Sequence, residues 1–224
     1  MQVTVDCRPR EYFARAHFKH SALVDIADVD DPGDVHVQLP PRSAVRAMRV
    51  VCLDADLQKA RFLFDAYPAT YAQHACMDWD ALITSGEAES GIAHPAVRLW
   101  RANPCLERDE LAVVENALGA RFKVALDLGC GSGRCSVYLA MRGWRVVAID
   151  RDSKVLDRLA HLAACSGVTV EAHRANVTLS ESALADAFAL VPAVGLVVVS
   201  RFMPPRPLLP LLAKLVPSGA FICM

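Results

Sequence analysis

The second half of the chain alternates regularly between short apolar runs and amphipathic segments. The apolar runs predict strands at 123–128, 145–150, 168–173, 194–200 and 220–223. Helical spacing predicts helices at 107–119, 133–142, 153–165, about 180–189 and about 206–215. Repeated strand–helix units predict a parallel sheet with helices on both faces.

The first half carries a weaker form of the same alternation. Strands are expected at Val3–Val5 and at the β-branched run Arg49–Leu53. One helix is expected to start at Pro9, because proline suits a first helical turn. A second, amphipathic helix is expected at Asp56–Tyr67, and residues 28–42, rich in Asp, Pro and Gly, are expected to form a loop.

The length of 224 residues suits one large domain or two small ones. Ser, Gly and Pro are frequent between the two halves, and periodicity is weak there. We therefore predict a small α/β domain over 1–85, a linker over 86–106 and a second α/β domain over 107–224.

Composition narrows the classes of partner. The chain is 54% hydrophobic, and its net charge of −1 argues against an electrostatic grip on nucleic acid or anionic lipid. No apolar run is long enough to span a membrane, and the N-terminus has no signal-peptide pattern. The eight cysteines and the histidines lack metal-ligand spacing, so we predict reduced thiols, no metal site and a cytoplasmic protein.

The clearest motif is the loop Asp127-Leu128-Gly129-Cys130-Gly131-Ser132-Gly133, between an apolar strand and an amphipathic helix. Asp150 ends the next predicted strand, where a carboxylate can accept hydrogen bonds from both hydroxyls of a ribose. Asp127 would repel a pyrophosphate, which disfavours a nicotinamide enzyme, but it would suit a ligand with an ammonium group. The alternative is a tight turn that binds nothing.

The stretch Val124–Ala140 resembles motif I of class I S-adenosylmethionine-dependent methyltransferases, and Val146–Asp150 resembles their motif II. The resemblance implies a Rossmann-like sheet and S-adenosylmethionine as cofactor. It implies that Asp127 lies near the methionine end, that the loop glycines pass under the cofactor, and that Asp150 holds the ribose. The implied cofactor-binding residues are Asp127, Gly129, Cys130, Gly131, Gly133, Asp150, Arg151, Asn176, Val177, Ser200 and Arg201.

Two positions depart from the family pattern or leave alternatives open. Family members often carry an Asp after the third strand that accepts from the adenine amino group. Asn176 can offer a carbonyl oxygen instead, or be an ordinary loop residue. Arg201, after the fourth strand, could orient an acidic substrate or simply cap the strand. No catalytic residue is assigned, because positioning of two reactants can supply most of the rate enhancement.

The run Ser200–Leu209 resembles a segment of small methyltransferases akin to tellurite-resistance enzymes, which implies a small-molecule acceptor. The segment Leu99–Pro104 looks like the lead-in of rhodanese–methyltransferase fusions. It is expected to pack over the cofactor mouth or to form a plain interdomain contact.

Three segments of the first half resemble a rhodanese-like domain, namely Asp6–Arg8, Ala16–Ala22 and Leu39–Arg42. Cys52 is near the position of the persulfide cysteine in active members. It is followed by Leu53-Asp54-Ala55-Asp56, with no glycine and two carboxylates, which should raise the thiol pKa and repel an anionic sulfur donor. We therefore expect a degenerate domain.

Class I methyltransferase sheets usually end with two further strands. The sequence shows neither of these strands after Phe221–Met224. The rhodanese-like part likewise starts late, so we expect a fragment or shortened product with an exposed apolar edge strand that favours self-association. The leading hypothesis is methyl transfer from S-adenosylmethionine to a small molecule. A cofactor-binding protein without turnover and a sulfurtransferase acting through Cys52 are the alternatives.

Overall fold

The computed structural model of the chain describes residues 1–91, 98–119, 123–191 and 193–224. Two compact units are present, Met1–Trp100 and Arg101–Met224. The division falls inside the predicted linker 86–106. Within the described residues, no helix is both long enough and apolar enough to cross a membrane.

The first unit is built on a parallel sheet of order β3-β1-β4-β5, and a short antiparallel pair joins β2 to β6. Its strands are β1 (Gln2–Asp6), β2 (His17–Phe18), β3 (Ala22–Leu23), β4 (Ala47–Cys52), β5 (Ala69–Gln73) and β6 (Ala88–Glu89). Its helices are α1 (Arg10–Arg15), α2 (Pro32–His36), α3 (Leu57–Leu63) and α4 (Trp79–Ser85).

A buried ion pair organises one end of this sheet. Asp6 and Arg8 are both fully buried, and the Arg8 Nε atom donates to Asp6 Oδ1 at 2.8 Å. The Arg8 Nη2 atom also donates to the carbonyl of Ala16 at 2.6 Å. The guanidinium lies 2.8 Å from His74 Nδ1 and 4.4 Å from the Trp79 ring centre. One arginine thus ties β1 to three other parts of the unit.

The second unit contains a parallel sheet of order β11-β10-β7-β8-β9. Its strands are β7 (Val124–Leu128), β8 (Arg145–Asp150), β9 (Glu171–Arg174), β10 (Leu196–Val198) and β11 (Phe221–Cys223). Its helices are α5 (Pro104–Glu107), α6 (Asp109–Leu118), α7 (Arg134–Met141), α8 (Ser153–Cys165), α9 (Glu181–Ala189) and α10 (Leu209–Leu215).

The order of these strands creates a switch point beside β7. The chain proceeds outward from β7 to β8 and β9, then returns to the other side of β7 with β10 and β11. Successive β7 side chains face opposite cores, with Leu126 and Leu128 in one apolar cluster and Ala125 in the other. Open parallel sheets bind ligands at the carboxyl ends of the strands where the order reverses. The fold confirms the Rossmann-like α/β class and directs attention to the end of β7.

Some boundaries differ from the sequence prediction for identifiable reasons. The third strand covers Glu171–Arg174 rather than 168–173, because the Val168 N–H closes the end of α8 by donating to Ala163 O. The expected loop 28–42 contains α2. Its start is fixed by Asp31, whose carboxylate accepts from Gly33 N at 2.7 Å, with proline in the first turn.

Glu115 joins α6 to the end of α7 and the start of β8. Its carboxylate accepts from Arg142 Nη2 at 2.5 Å and from Trp144 Nε1 at 2.9 Å, and Lys123 Nζ lies 3.5 Å away. The hydrogen bond from Arg142, reinforced by Trp144 and Lys123, lowers the pKa of Glu115 to about 2. The Glu115 carboxylate therefore stabilises the fold at every pH at which it is ionised.

Glu115→Gln should destabilise the second unit at pH 7 by roughly 1–3 kcal/mol, because charged hydrogen bonds are replaced by neutral ones. A depressed folded pKa gives stability that is present above the unfolded pKa and is lost as pH falls towards about 2. The difference in stability between the wild-type chain and Glu115→Gln should therefore shrink at low pH. Hydrogen exchange of α6 and α7 measures it, with exposed Asp186→Asn as the control; an equal effect of both substitutions would contradict the assignment.

Candidate functional site

The glycine loop connects β7 to α7 at the switch point. Gly129, Gly131 and Gly133 have φ values of 68°, 55° and 77°, in the region that favours glycine. The loop is anchored to the neighbouring strand, because Gly129 N and Cys130 N both donate to Ile149 O, at 2.8 and 3.0 Å. Its course is thus fixed by backbone bonds to β8.

The three glycines serve different purposes. A Cβ at Gly129 would come within 2.8 Å of the Phe202 ring, and one at Gly133 within 2.4 Å of the Leu159 side chain. A Cβ at Gly131 would meet no atom within 4 Å. Gly129 and Gly133 therefore allow close packing inside the protein, and Gly131 is the glycine whose surroundings leave space for a ligand.

Asp127, the last polar residue of β7, is 1% exposed. Its Oδ2 atom accepts from the Ser136 hydroxyl at 2.6 Å, whereas its Oδ1 atom is buried and has no hydrogen-bond partner among the residues that the structure describes. Burial, together with the negative charge of Asp150, raises the pKa of Asp127 to about 6, although the Ser136 bond lowers it. An unpaired buried carboxylate oxygen is costly unless it meets a cation or donor.

Asp150 lies at the end of β8 in a different environment. It is half-buried, and its Oδ2 atom accepts from Gly131 N at 2.9 Å while Oδ1 accepts from Asp152 N at 3.0 Å. An ionised carboxylate has about four acceptor positions. Asp150 thus orients the glycine loop and keeps acceptor capacity for further donors.

The residues after β9 only partly match the expectation. The Asn176 Oδ1 atom, expected to accept from adenine, already accepts from Thr178 N at 3.1 Å and from Thr178 Oγ1 at 2.7 Å. The Asn176 side chain thus closes a local turn. Its Nδ2 group is the part of the side chain that can still bind a ligand. Val177 is buried in the core at 5% exposure, and the side chain of Arg151 is exposed.

Ser200 and Arg201 follow β10, across the switch point from the glycine loop. The Ser200 hydroxyl accepts from Asn103 Nδ2 at 3.1 Å. Arg201 is exposed and has a φ of 55°, which is uncommon for a residue other than glycine and marks a constrained turn. Asn103 belongs to the predicted lead-in segment, so part of that segment does lie at the carboxyl edge of this sheet.

Ser136, Phe202 and Asn103 were not among the predicted site residues, although Asn103 lies in the predicted lead-in segment. Ser136 is a buried polar residue on an apolar face of α7, which is a usable signal once the helix is assigned. Phe202 and Asn103 are recognisable only from contacts between segments distant in sequence.

In the first unit, Cys52 ends β4 and is fully buried. The neighbouring Cys7 thiol lowers the pKa of Cys52 overall, against burial, which acts to raise it. As expected, the carboxylates of Asp54 and Asp56 also act to raise the pKa of the Cys52 thiol. The segment after Cys52 forms a short 3-10 turn at Asp54–Asp56.

The comparisons with known proteins concern mainly the second unit. Residues 125–214, less than half of the chain, match the family model of a methyltransferase domain. No curated protein matches.

Solved structures resemble the chain only distantly. A tRNA (uracil-54, C5)-methyltransferase of Pyrococcus abyssi, in complex with S-adenosyl-L-homocysteine, is 21% identical with a TM-score of 0.32, over 48% of this chain and 24% of its own. A dimethyladenosine transferase of Plasmodium falciparum is 19% identical with a TM-score of 0.33, over 54% and 40%. A thiosulfate sulfurtransferase of Pseudomonas aeruginosa is 16% identical with a TM-score of 0.28, over 88% and 47%.

The chain thus spans about a quarter of the length of the tRNA methyltransferase. The family match lies within the second unit, whose parallel sheet has the α/β class expected for it. More particularly, residues 125–214 have the Rossmann-like fold of class I methyltransferases, with the glycine loop directly after the strand β7.

Asp127→Asn should stabilise the second unit at pH 7, because the wild-type protein must bury a charge with one unpaired oxygen. The raised folded pKa means that stability declines as pH rises from the unfolded pKa of about 4 through about 6. The gain should be roughly 1–3 kcal/mol at pH 7 and disappear near pH 4. Urea unfolding at the two pH values measures it, with Asp157→Asn as the exposed control.

Proposed function

We propose that the second unit transfers a methyl group from S-adenosylmethionine to a small-molecule acceptor. The observation that carries the proposal is the unpaired Oδ1 atom of Asp127, buried at the switch point beside the glycine loop. A carboxylate in this state favours a bound cation, and S-adenosylmethionine carries an ammonium group and a sulfonium.

The surrounding residues fit the rest of this cofactor. Asp150 retains acceptor positions for ribose hydroxyls, and the space beside Gly131 lets a ligand approach the backbone. Asn176 would contribute its Nδ2 group to the adenine rather than its oxygen. The cofactor supplies an activated methyl group, so the chain's own residues need only bind and orient the two reactants.

The proposed kind of methyl acceptor follows from the charge of the chain. A net charge of −1 gives the chain no general attraction for nucleic acid. Arg201 is exposed at the carboxyl edge of β10, in a turn where its φ is 55°. We therefore propose a small acceptor with an acidic group, oriented by Arg201.

Calorimetry should detect binding of S-adenosyl-L-homocysteine, which retains the ammonium group, and no comparable binding of NAD. Binding should weaken as pH falls through about 6, because protonation of Asp127 removes the charge that faces the ammonium. Asp127→Asn should weaken binding at pH 7 and flatten this pH dependence. Tighter binding of NAD than of S-adenosyl-L-homocysteine would contradict the cofactor assignment.

Asp150→Ala should weaken the same binding by roughly 1.5–3 kcal/mol, through the loss of charge-assisted hydrogen bonds to the ribose and of the loop contact at Gly131. The exposed Asp157→Ala is the matched control and should bind normally. Unchanged affinity in Asp150→Ala would place the ribose elsewhere. Binding without any methyl transfer to a panel of acidic acceptors would favour a cofactor-binding protein without turnover.

The alternative of a sulfurtransferase acting through Cys52 has its own test. Because Cys52 is fully buried, incubation with thiosulfate should leave no added sulfur atom on it. Mass spectrometry of the intact chain and of the peptide that contains Cys52 is the measurement, with Cys52→Ser as the control. A stoichiometric persulfide at Cys52 would revive the sulfurtransferase hypothesis.

A further inference from the structure

The segment before α6 is held against the sheet of the second unit by one residue. Asn103 N donates to Cys135 Sγ at 3.4 Å, and Asn103 Nδ2 donates to Ser200 Oγ at 3.1 Å. The Asn103 Oδ1 atom accepts from Cys105 N at 2.9 Å. These bonds fix residues 103–105 beside the carboxyl end of β10 and the first turn of α7.

These bonds hold Cys105 at the carboxyl edge of the sheet, where the neighbouring strand β11 ends at Cys223. Ala102 and Leu106, on either side of Cys105, pack in the same apolar cluster as Cys223. Cys223 is 4% exposed, and its carbonyl accepts from Val199 N at 2.8 Å, one residue before Ser200. Burial, together with a side-chain hydrogen bond with Cys105, raises the pKa of Cys223 to about 12.

The two thiols differ in exposure. Cys105 is exposed, whereas Cys223 is buried. A soluble disulfide can therefore reach the first sulfur but not the second. The arrangement provides an entry thiol and a resolving thiol, which are the two parts that thiol–disulfide exchange requires.

We propose that Cys105 and Cys223 form a reversible disulfide, and that the pair is a redox modification site of the second unit. Cys105 loses its proton and attacks a low-molecular-weight disulfide, whose sulfur–sulfur bond breaks and releases one thiol. Cys223 loses its proton and attacks the Cys105 sulfur of the mixed disulfide, which releases the second thiol. Two protein thiols are oxidised, and the small disulfide is reduced to two thiols.

A second cysteine pair in the chain provides an internal comparison. Asp6 and Val51 are register partners in β1 and β4, so Cys7 and Cys52 come next along the same two strands. The two thiols interact, but both are at most 1% exposed. Without an exposed entry thiol, this pair should stay reduced while the folded chain is oxidised.

The disulfide would tie α5 to the last strand of the sheet. Asn103 lies between the crosslink and Ser200, so the crosslink would hold the lead-in segment at the carboxyl edge where the proposed acceptor binds. This inference does not depend on the proposed methyl transfer, because it concerns only the packing and accessibility of the two thiols.

The test is to incubate the folded full-length chain with oxidised glutathione, alkylate the remaining thiols and map the peptides by mass spectrometry. We expect a Cys105–Cys223 crosslink, an intact mass lower by about 2 Da, and reversal by dithiothreitol. Cys7 and Cys52 should be alkylated only after unfolding. Hydrogen exchange of residues 101–107 should be slower in the oxidised form.

Two variants separate the roles of the two thiols. Cys223→Ser should stop at a stable glutathione adduct on Cys105, whereas Cys105→Ser should leave Cys223 reduced. Cys76→Ser removes another exposed thiol and should leave the crosslink unchanged. A lasting glutathione adduct on Cys105 in the unmodified chain, or a crosslink from Cys105 to Cys135, would overturn the proposal.

Discussion

The carboxylate of Asp127 is the constraint on which the second unit depends. The register places Ala148 of β8 on one side of it and Val198 of β10 on the other. Neither neighbour carries a polar side chain, so the sheet cannot satisfy the carboxylate. Ser136 satisfies one oxygen, and the other has no partner within the described structure. The fold therefore keeps a local electrostatic cost at the switch point of its sheet, where open parallel sheets generally bind ligands.

The two carboxylates of the site share a loop but have different physical states. Asp127 is fully buried and has a raised pKa, whereas Asp150 is half-buried and accepts two backbone N–H bonds. The first is suited to a cation that removes the cost of its burial. The second is suited to neutral donors, because it already accepts from two backbone N–H groups and is oriented by them. Their positions along adjacent strands set the two interactions side by side.

The features that the sequence predicts well are local ones. The glycine loop, Asp127 and Asp150 follow from residues that are adjacent in the chain or that end consecutive strands. The Asn176 oxygen binds Thr178 within a local turn. The identity of residue 176 alone does not show whether this oxygen binds Thr178 or a ligand. The bond from Asn103 to Ser200 joins segments far apart in sequence, which single-sequence periodicity cannot reveal.

The first unit shows that motif residues can be explained by packing. A buried ion pair is favourable only when further hydrogen bonds offset the desolvation of both charges. Arg8 meets this condition through Asp6, the Ala16 carbonyl and His74. Burial and the charge of Arg8 lower the pKa of His74, which keeps Nδ1 available as an acceptor. The Asp-x-Arg motif therefore accounts for the cohesion of this unit without requiring any chemistry at Cys52, whose burial denies a sulfur donor access.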